Sequence, residues 1–291
     1  MAKKHKGFRL FLLTVAAVVV VFPVVFMISN SFMKADEAAA RYVEYVIPEN
    51  ADRTVNGKHY VEPTLIPSRM TVEAYRLTIH EDKMFLRMFW NSVLITLPIL
   101  IGQLLISPLA AYAFEMIRWK YKEVLYFVYI IVMLMPIQLL MVPHYITAES
   151  LGYNNTWWAI ILPAVFAPFG TFLLRQQLSG FDRSLIEAAR VEGATEGRIF
   201  VKVILPFMKP SISALAALTF VECWNIVDQA VVFIRDVFDE PLSVYLSRMI
   251  MGSPGLIFAA AVLFMVPAFA VFILSQEYLA GGIAMSGGKK S

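Results

Sequence analysis

Six stretches nearly empty of Lys, Arg, Asp and Glu dominate the chain, at residues 10–28, 88–114, 124–142, 151–174, 211–234 and 249–276. Each is long enough to cross a hydrocarbon layer about 30 Å thick as a helix of roughly 20 residues. With 59% hydrophobic and 16% charged residues over 291 positions, the chain carries more apolar surface than one water-soluble core of this length can hide. The expected fold class is all-α integral membrane, with six transmembrane helices and the lipid bilayer as the first partner.

The distribution of cations orients this bundle. If the N-terminus is cytoplasmic, 15 of the 25 Lys and Arg fall inside, among them Arg118, Lys120, Lys122 and six between Arg175 and Lys209. The positive-inside rule counts these residues and favours both termini in the cytoplasm. Lys3, Lys4, Lys6 and Arg9 before the first apolar run resemble the head of a secretory signal. Nineteen uncharged residues exceed the usual signal core of about 7 to 15, so an uncleaved span is expected, with the triplet at Ala38, Ala39 and Ala40 as the alternative cleavage site.

Four regions follow: 1–33 as N-tail and first span, 34–87 as an extracytoplasmic subdomain, 88–278 as a five-helix membrane core, and 279–291 as a short, flexible cytoplasmic tail. Within 34–87, Pro67 breaks any helix, and Ser68 or Thr71 is placed to cap a short one running to about Thr78. The only cysteine, Cys223, lies in the fifth apolar run and permits no internal disulfide. The four histidines are scattered without ligand spacing, so no metal and no cofactor is expected.

The longest cytoplasmic loop, 176–209, carries the most information. Asp182 is a suitable N-cap, helix-favouring residues follow, and Gly193 stands where a helix ends in a left-handed residue. Thr195 is placed to cap a second helix, with Ile199 and Val203 on one stripe, until Pro206 forces a change of direction. Local pattern leaves two readings open: a docking element for another protein, or a connector whose apolar stripe packs on its own spans.

Glu187-Ala188-Ala189, three residues, Gly193, nine residues, then Val203-Ile204-Leu205-Pro206 resembles the EAA motif of permease subunits in binding-protein-dependent ABC importers, with Val203 at the usual isoleucine position. From about Pro67 to Gly282 the chain resembles the carbohydrate-uptake branch of the maltose-permease type. Pro67, Thr71 and Tyr75, Asn91-Ser92, the run Ala110-Ala111-Tyr112-Ala113, Trp224-Asn225 and Pro241-Leu242 carry that likeness. The stretch 38–62 has no counterpart in it.

The resemblance implies a type I importer permease (MetI-like) fold in a bacterial or archaeal cell membrane, with the loop forming a coupling helix. It implies three protein partners: a second homologous permease, a cytoplasmic ATP-binding subunit dimer, and an extracytoplasmic sugar-binding protein. Glu187, Ala188, Ala189, Gly193, Leu205 and Pro206 are then the residues that couple to the ATPase. The chain has no Gly-x-x-x-x-Gly-Lys-Ser/Thr loop, so ATP chemistry belongs to another subunit and the chain is not itself an enzyme. No nucleic-acid partner is implied.

The fifth apolar run holds Glu222, Trp224, Asn225, Asp228 and Gln229. Charges in a membrane helix cost at least roughly 2.5 kcal/mol on insertion scales, so these should face a cavity or a partner helix. On one continuous helix Glu222, Asn225 and Gln229 form a stripe, with Trp224 and Asp228 on an adjacent one. Planar polar groups beside an aromatic ring suit a sugar pathway; hydrogen bonding to the second permease is the rival. An ion-coupled secondary transporter would use Glu222 and Asp228 as carboxylates, but leaves the EAA spacing unexplained.

Overall fold

The computed structural model describes residues 2–42, 54–55, 58–59, 63–249 and 254–287. Most of the 38–62 stretch, and Lys289 and Lys290 of the tail, lie outside the described residues. The chain divides into two units, Met1–Phe89 with Tyr245–Val266, and Trp90–Val244 with Pro267–Ser291.

In the first unit α1 (Ala2–Asn30) leaves every side chain from residue 7 to residue 23 exposed, an arrangement suited to lipid and not to water. Its end is tied down by polar groups. Asn30, fully buried, donates to the carbonyls of Phe26 and Thr64 at 2.8 and 3.0 Å and accepts from the Tyr42 hydroxyl at 2.9 Å. Tyr42 belongs to α2 (Ala35–Tyr42), and its ring meets Phe258 edge-on at 5.3 Å. A short hairpin pairs Thr54–Val55 with Lys58–His59.

The Pro67 segment leads to α3 (Glu73–Arg76), which starts where the Thr71 hydroxyl accepts the Glu73 N–H at 3.1 Å. A π-helical turn, Leu77–Glu81, carries it three residues past the expected end. Tyr75 meets the Ser31 hydroxyl at 2.6 Å, so one of the residues carrying the family likeness fastens this segment to the end of α1. Asp82 then caps α4 (Lys83–Met116) by accepting the N–H groups of Met84 and Phe85 at 3.0 and 3.1 Å.

Proline decides most of the second unit, and its effect depends on position. Pro98 and Pro108 run inside α4. Pro136 instead separates α5 (Lys122–Leu134) from α6 (Ile137–Ser150), which meet at 106°. Met135 and Pro136 are both extended, with ψ of 131° and 134°, and for Met135 the proline after it is the reason, since it disfavours the helical conformation there. The third expected span, 124–142, is thus a bent pair. Among the described residues five helical runs are long and apolar enough to cross a membrane, and six if that pair is one crossing.

The fourth run begins later than expected, at Trp158, after a turn with Gly152 and Asn155 at positive φ. It comprises α7 (Trp158–Val165) and α8 (Pro168–Leu178), broken before Pro168. Pro168 lacks the N–H that would bond the Ala164 carbonyl, which accepts instead from the Ala167 N–H at 3.2 Å and from the Gln103 side-chain amide of α4 at 2.7 Å. Gln103, itself buried, accepts from Thr219 at 3.3 Å, so its amide joins three helical runs. Backbones pack closely here: a Cβ on Gly102 would fall 2.6 Å from Val165, and one on Gly170 2.5 Å from the Ser107 hydroxyl.

Two apolar clusters fill this unit. One joins Ile95, Ile99, Ile160, Phe233 and Val244; the other joins Ala111, Leu174, Leu178, Ile186, Ile199, Ile204 and Met208. Asn91 and Ser92, at the start of the second apolar run, hold the segment before the sixth: Asn91 donates to the carbonyls of Phe238 and Glu240, and Ser92 accepts the Leu242 N–H at 2.8 Å. Two motifs of the sequence likeness therefore bind each other. The last helix, Pro254–Gly287, extends as helix through the segment expected to be a flexible tail from 279, where no proline interrupts it.

Candidate functional site: the EAA loop and the polar end of the fifth run

After α8 the chain turns at Ser179 and Gly180 and enters α9 (Ser184–Val191). Asp182 accepts the Ser184 N–H at 3.0 Å, and that bond holds its carboxyl below the usual carboxylate range. α9 ends at Val191 with Glu192 as its C-cap, and Gly193 has φ +80°, the left-handed conformation that lets the Ala194 N–H reach back to the Ala189 carbonyl at 2.9 Å. The expected helix and its glycine stop are both present.

One face of α9 is buried and the other bare. Ile186 is 4% exposed in the second apolar cluster and Ala189 packs against it, while Glu187, Ala188 and Gly193 are exposed. Val191, at 90% exposure, is an apolar side chain with nothing covering it. The connector reading thus describes one face of this two-turn helix, and the opposite face is left bare. Glu187 also lines a cavity of ≈ 530 Å³ between α9 and the end of α4, with Met116, Arg118, Arg183, Arg190 and Glu196.

The second helix starts after Thr195, whose carbonyl accepts the Ile199 N–H at 2.9 Å; its hydroxyl makes no cap bond. From α10 (Glu196–Ile199) the chain passes through a π-helical turn, Phe200–Ile204, into α11 (Leu205–Trp224). Here the expectation for Pro206 is corrected. It forces no change of direction, because it stands in the first turn of α11, directly after the Leu205 N–H has bonded five residues back to Phe200. Leu205 is half-buried and Pro206 exposed.

Ionic bonds that sequence reasoning missed fasten this loop. Glu115, near the end of α4, accepts from Arg175 at 3.0 Å and from Arg183 at 3.0 Å. Tyr112, one turn earlier, donates to Glu196 at 2.7 Å, and Arg190 pairs with the other Glu196 oxygen at 2.8 Å. That pairing also raises the Arg190 guanidinium above its usual range. Lone charges at the ends of apolar runs, Glu115 and Arg175, were the available signal.

The polar stripe of the fifth run is also corrected. α11 stops at Trp224, and Asp228 and Gln229 begin a separate helix, α12 (Asp228–Phe233). At this end the Asn225 backbone N–H makes its ordinary helical bond to the Val221 carbonyl at 3.3 Å, and its side-chain amide joins the same oxygen at 2.8 Å. Glu222, Asn225 and Gln229 therefore share no helical face. Trp224 is 1% exposed and stacked on Phe220 at 5.4 Å, so its ring is not offered to a ligand. Glu222, Asn225 and Asp228 are exposed, and Asp228 accepts from Gln138, just past the α5–α6 bend, at 3.4 Å. The loop and these polar groups stand at opposite ends of the 29-residue run Glu196–Trp224, about 40 Å apart at 1.5 Å per residue.

Comparison with known proteins gives concordant results. The sequence profile described as "Binding-protein-dependent transport system inner membrane component" matches residues 103–284. The chain is 32% identical over 226 residues to the arabinooligosaccharides transport system permease protein AraQ of Halalkalibacterium halodurans, covering 77% of this chain and 81% of that one. It is 31% identical over 198 residues to the lactose transport system permease protein LacG of Rhizobium radiobacter, covering 67% and 72%. A chain from the crystal structure of a bacterial ABC transporter involved in the import of the acidic polysaccharide alginate superposes with a TM-score of 0.75 at 22% identity, covering 95% of this chain and 96% of that one.

Proposed function

The chain belongs to the binding-protein-dependent transport system inner membrane components, and from that membership we propose that it is one of two permease subunits of an ATP-driven carbohydrate importer. It forms half of a translocation pathway and passes the closure of a cytoplasmic ATPase dimer to its spans through α9. The observation that carries this reading is the two-faced α9: Ile186 anchors it, while Glu187, Ala188 and Gly193 stand bare at the positions of the EAA motif. A small, bare surface admits close approach, and the Glu187 carboxylate suits a cationic donor on the partner.

The positive-inside distribution supports α9 in the cytoplasm with both termini. It puts the 34–87 region outside, where a soluble sugar-binding protein would meet the permease pair. The membrane core then spans 88–278, with the EAA loop at 176–209 on its inner side. Glu222, Asn225, Asp228 and Gln229, joined by Gln138, are the residues proposed to border the pathway, and hydroxyl-rich substrates suit their planar polar groups. A saccharide substrate is supported by relatives named for arabinooligosaccharides and lactose. Alternation of access between the two sides follows from rigid movement of helices, the usual consequence of closing a partner at such a joint.

Affinity purification of the tagged chain from its native membrane tests the assembly. A second homologous permease and an ATPase should accompany it, and the complex should take up an oligosaccharide only with ATP inside and a binding protein outside. Uptake by this chain alone, driven by an ion gradient, would contradict the reading.

A further inference from the structure

The α9 helix is fixed to α4 at both ends. At its start, Arg183 donates to the Glu115 side chain at 3.0 Å and to the Glu115 carbonyl at 3.2 Å. Past its end, Glu196 takes Arg190 on one oxygen and the Tyr112 hydroxyl on the other. Tyr112 and Glu115 are three residues apart, one face of the last turns of α4. Between the two attachments Ile186 packs beside Ala111 and Tyr112 in the same apolar cluster.

Chain connectivity alone would send a displacement of α9 into α8 on one side and α11 on the other. These attachments add a third and shorter route. We propose that α4 is a direct receiver of the coupling stroke, with Tyr112 and Glu115 as the positioning residues that bind it to α9; this rests on the coupling role given to α9 above. Arg175 reinforces the joint, since it bonds Glu115 from α8 while its guanidinium lies 3.6 Å from the Tyr126 ring centre of α5. The end of α4 therefore gathers α5, α8 and α9 around one carboxylate. Tyr112 is 6% exposed, so its hydroxyl has little water to replace Glu196 if that bond is lost.

The test uses the assembled importer in vesicles, comparing the wild-type chain with the double variant Tyr112→Phe/Arg183→Gln. The expected result is retained ATP hydrolysis with substrate moved per ATP reduced by about fivefold or more; Arg183→Lys in place of Arg183→Gln should restore part of it. An unchanged ratio overturns the proposal. A wild-type importer without ATP-driven uptake would instead refute the importer reading itself. A second measurement needs no partner: spin labels at Val191→Cys and Leu109→Cys, both exposed sites, report the α9–α4 distance in the isolated chain. A narrow distribution that broadens on Tyr112→Phe/Arg183→Gln supports the attachment, and an unchanged one overturns it, even if the double variant assembles poorly.

Discussion

Gln103 donates to the Ala164 carbonyl at 2.7 Å, joining the Ala167 N–H that reaches the same oxygen at 3.2 Å where Pro168 has no N–H to offer. A backbone acceptor freed by proline inside a membrane core has no water to turn to, so its own turn and a neighbouring helix share it. Gln103→Leu keeps the side-chain bulk and removes the amide. It should destabilise the chain by about 1–2 kcal/mol, since the bond to Ala164 is lost and the buried Thr219 hydroxyl loses its acceptor. Unfolding in detergent or bicelles measures this, and Thr219→Val, which removes only the weaker 3.3 Å bond, should lose less. Equal stability of wild type and Gln103→Leu would remove the clasp from the account.

Close backbone approach gives a compensating pair. A Cβ on Gly102 falls 2.6 and 2.7 Å from the two methyls of Val165. Gly102→Ala should therefore destabilise by about 1–3 kcal/mol, and adding Val165→Ala should recover part of the loss by opening the space. Simple additivity of the two changes would show that the helices relax apart instead.

Glu37 predicts a pH response in the segment leading to α3. Burial acts to raise its carboxyl, but hydrogen bonds from Ser68 and Arg69, with Arg41 beside it, outweigh that and hold it below the usual range. A depressed carboxylate stabilises fully above its unfolded value and loses that contribution as pH falls through the folded one. Protection of the Ser68 and Arg69 amides against hydrogen exchange, corrected for intrinsic rates, should fall on acidification below about pH 4. Glu37→Gln should show weak protection at every pH. Protection independent of pH in the wild type would break the assignment.

What the sequence makes legible follows from the range of the interactions. Apolar length predicts the membrane helices because lipid imposes the same demand on each, and the left-handed Gly193 is a local backbone necessity. Proline is less transparent: Pro98 continues a helix and Pro136 bends the chain by 106°, and nothing local to either residue distinguishes the two. The polar stripe fails because α11 ends at Trp224, and no proline or glycine between 222 and 229 announces that stop. The bonds of Tyr112 to Glu196 and of Gln103 to Ala164 join residues 84 and 61 positions apart, and no local pattern announces them.

The central claim, that α9 is a mechanical joint to an ATPase, is tested most directly at Gly193. A Cβ there meets nothing within 4 Å, but φ of +80° strains any L-residue. Gly193→Ala therefore adds backbone strain of about 1 kcal/mol, while Gly193→Trp adds similar strain and bulk on the bare face. Uptake per ATP hydrolysed, measured in vesicles containing the whole importer, should stay near wild type for Gly193→Ala. For Gly193→Trp it should collapse, or the ATPase should dissociate, with membrane insertion intact in both. Full coupled uptake by Gly193→Trp would contradict the account.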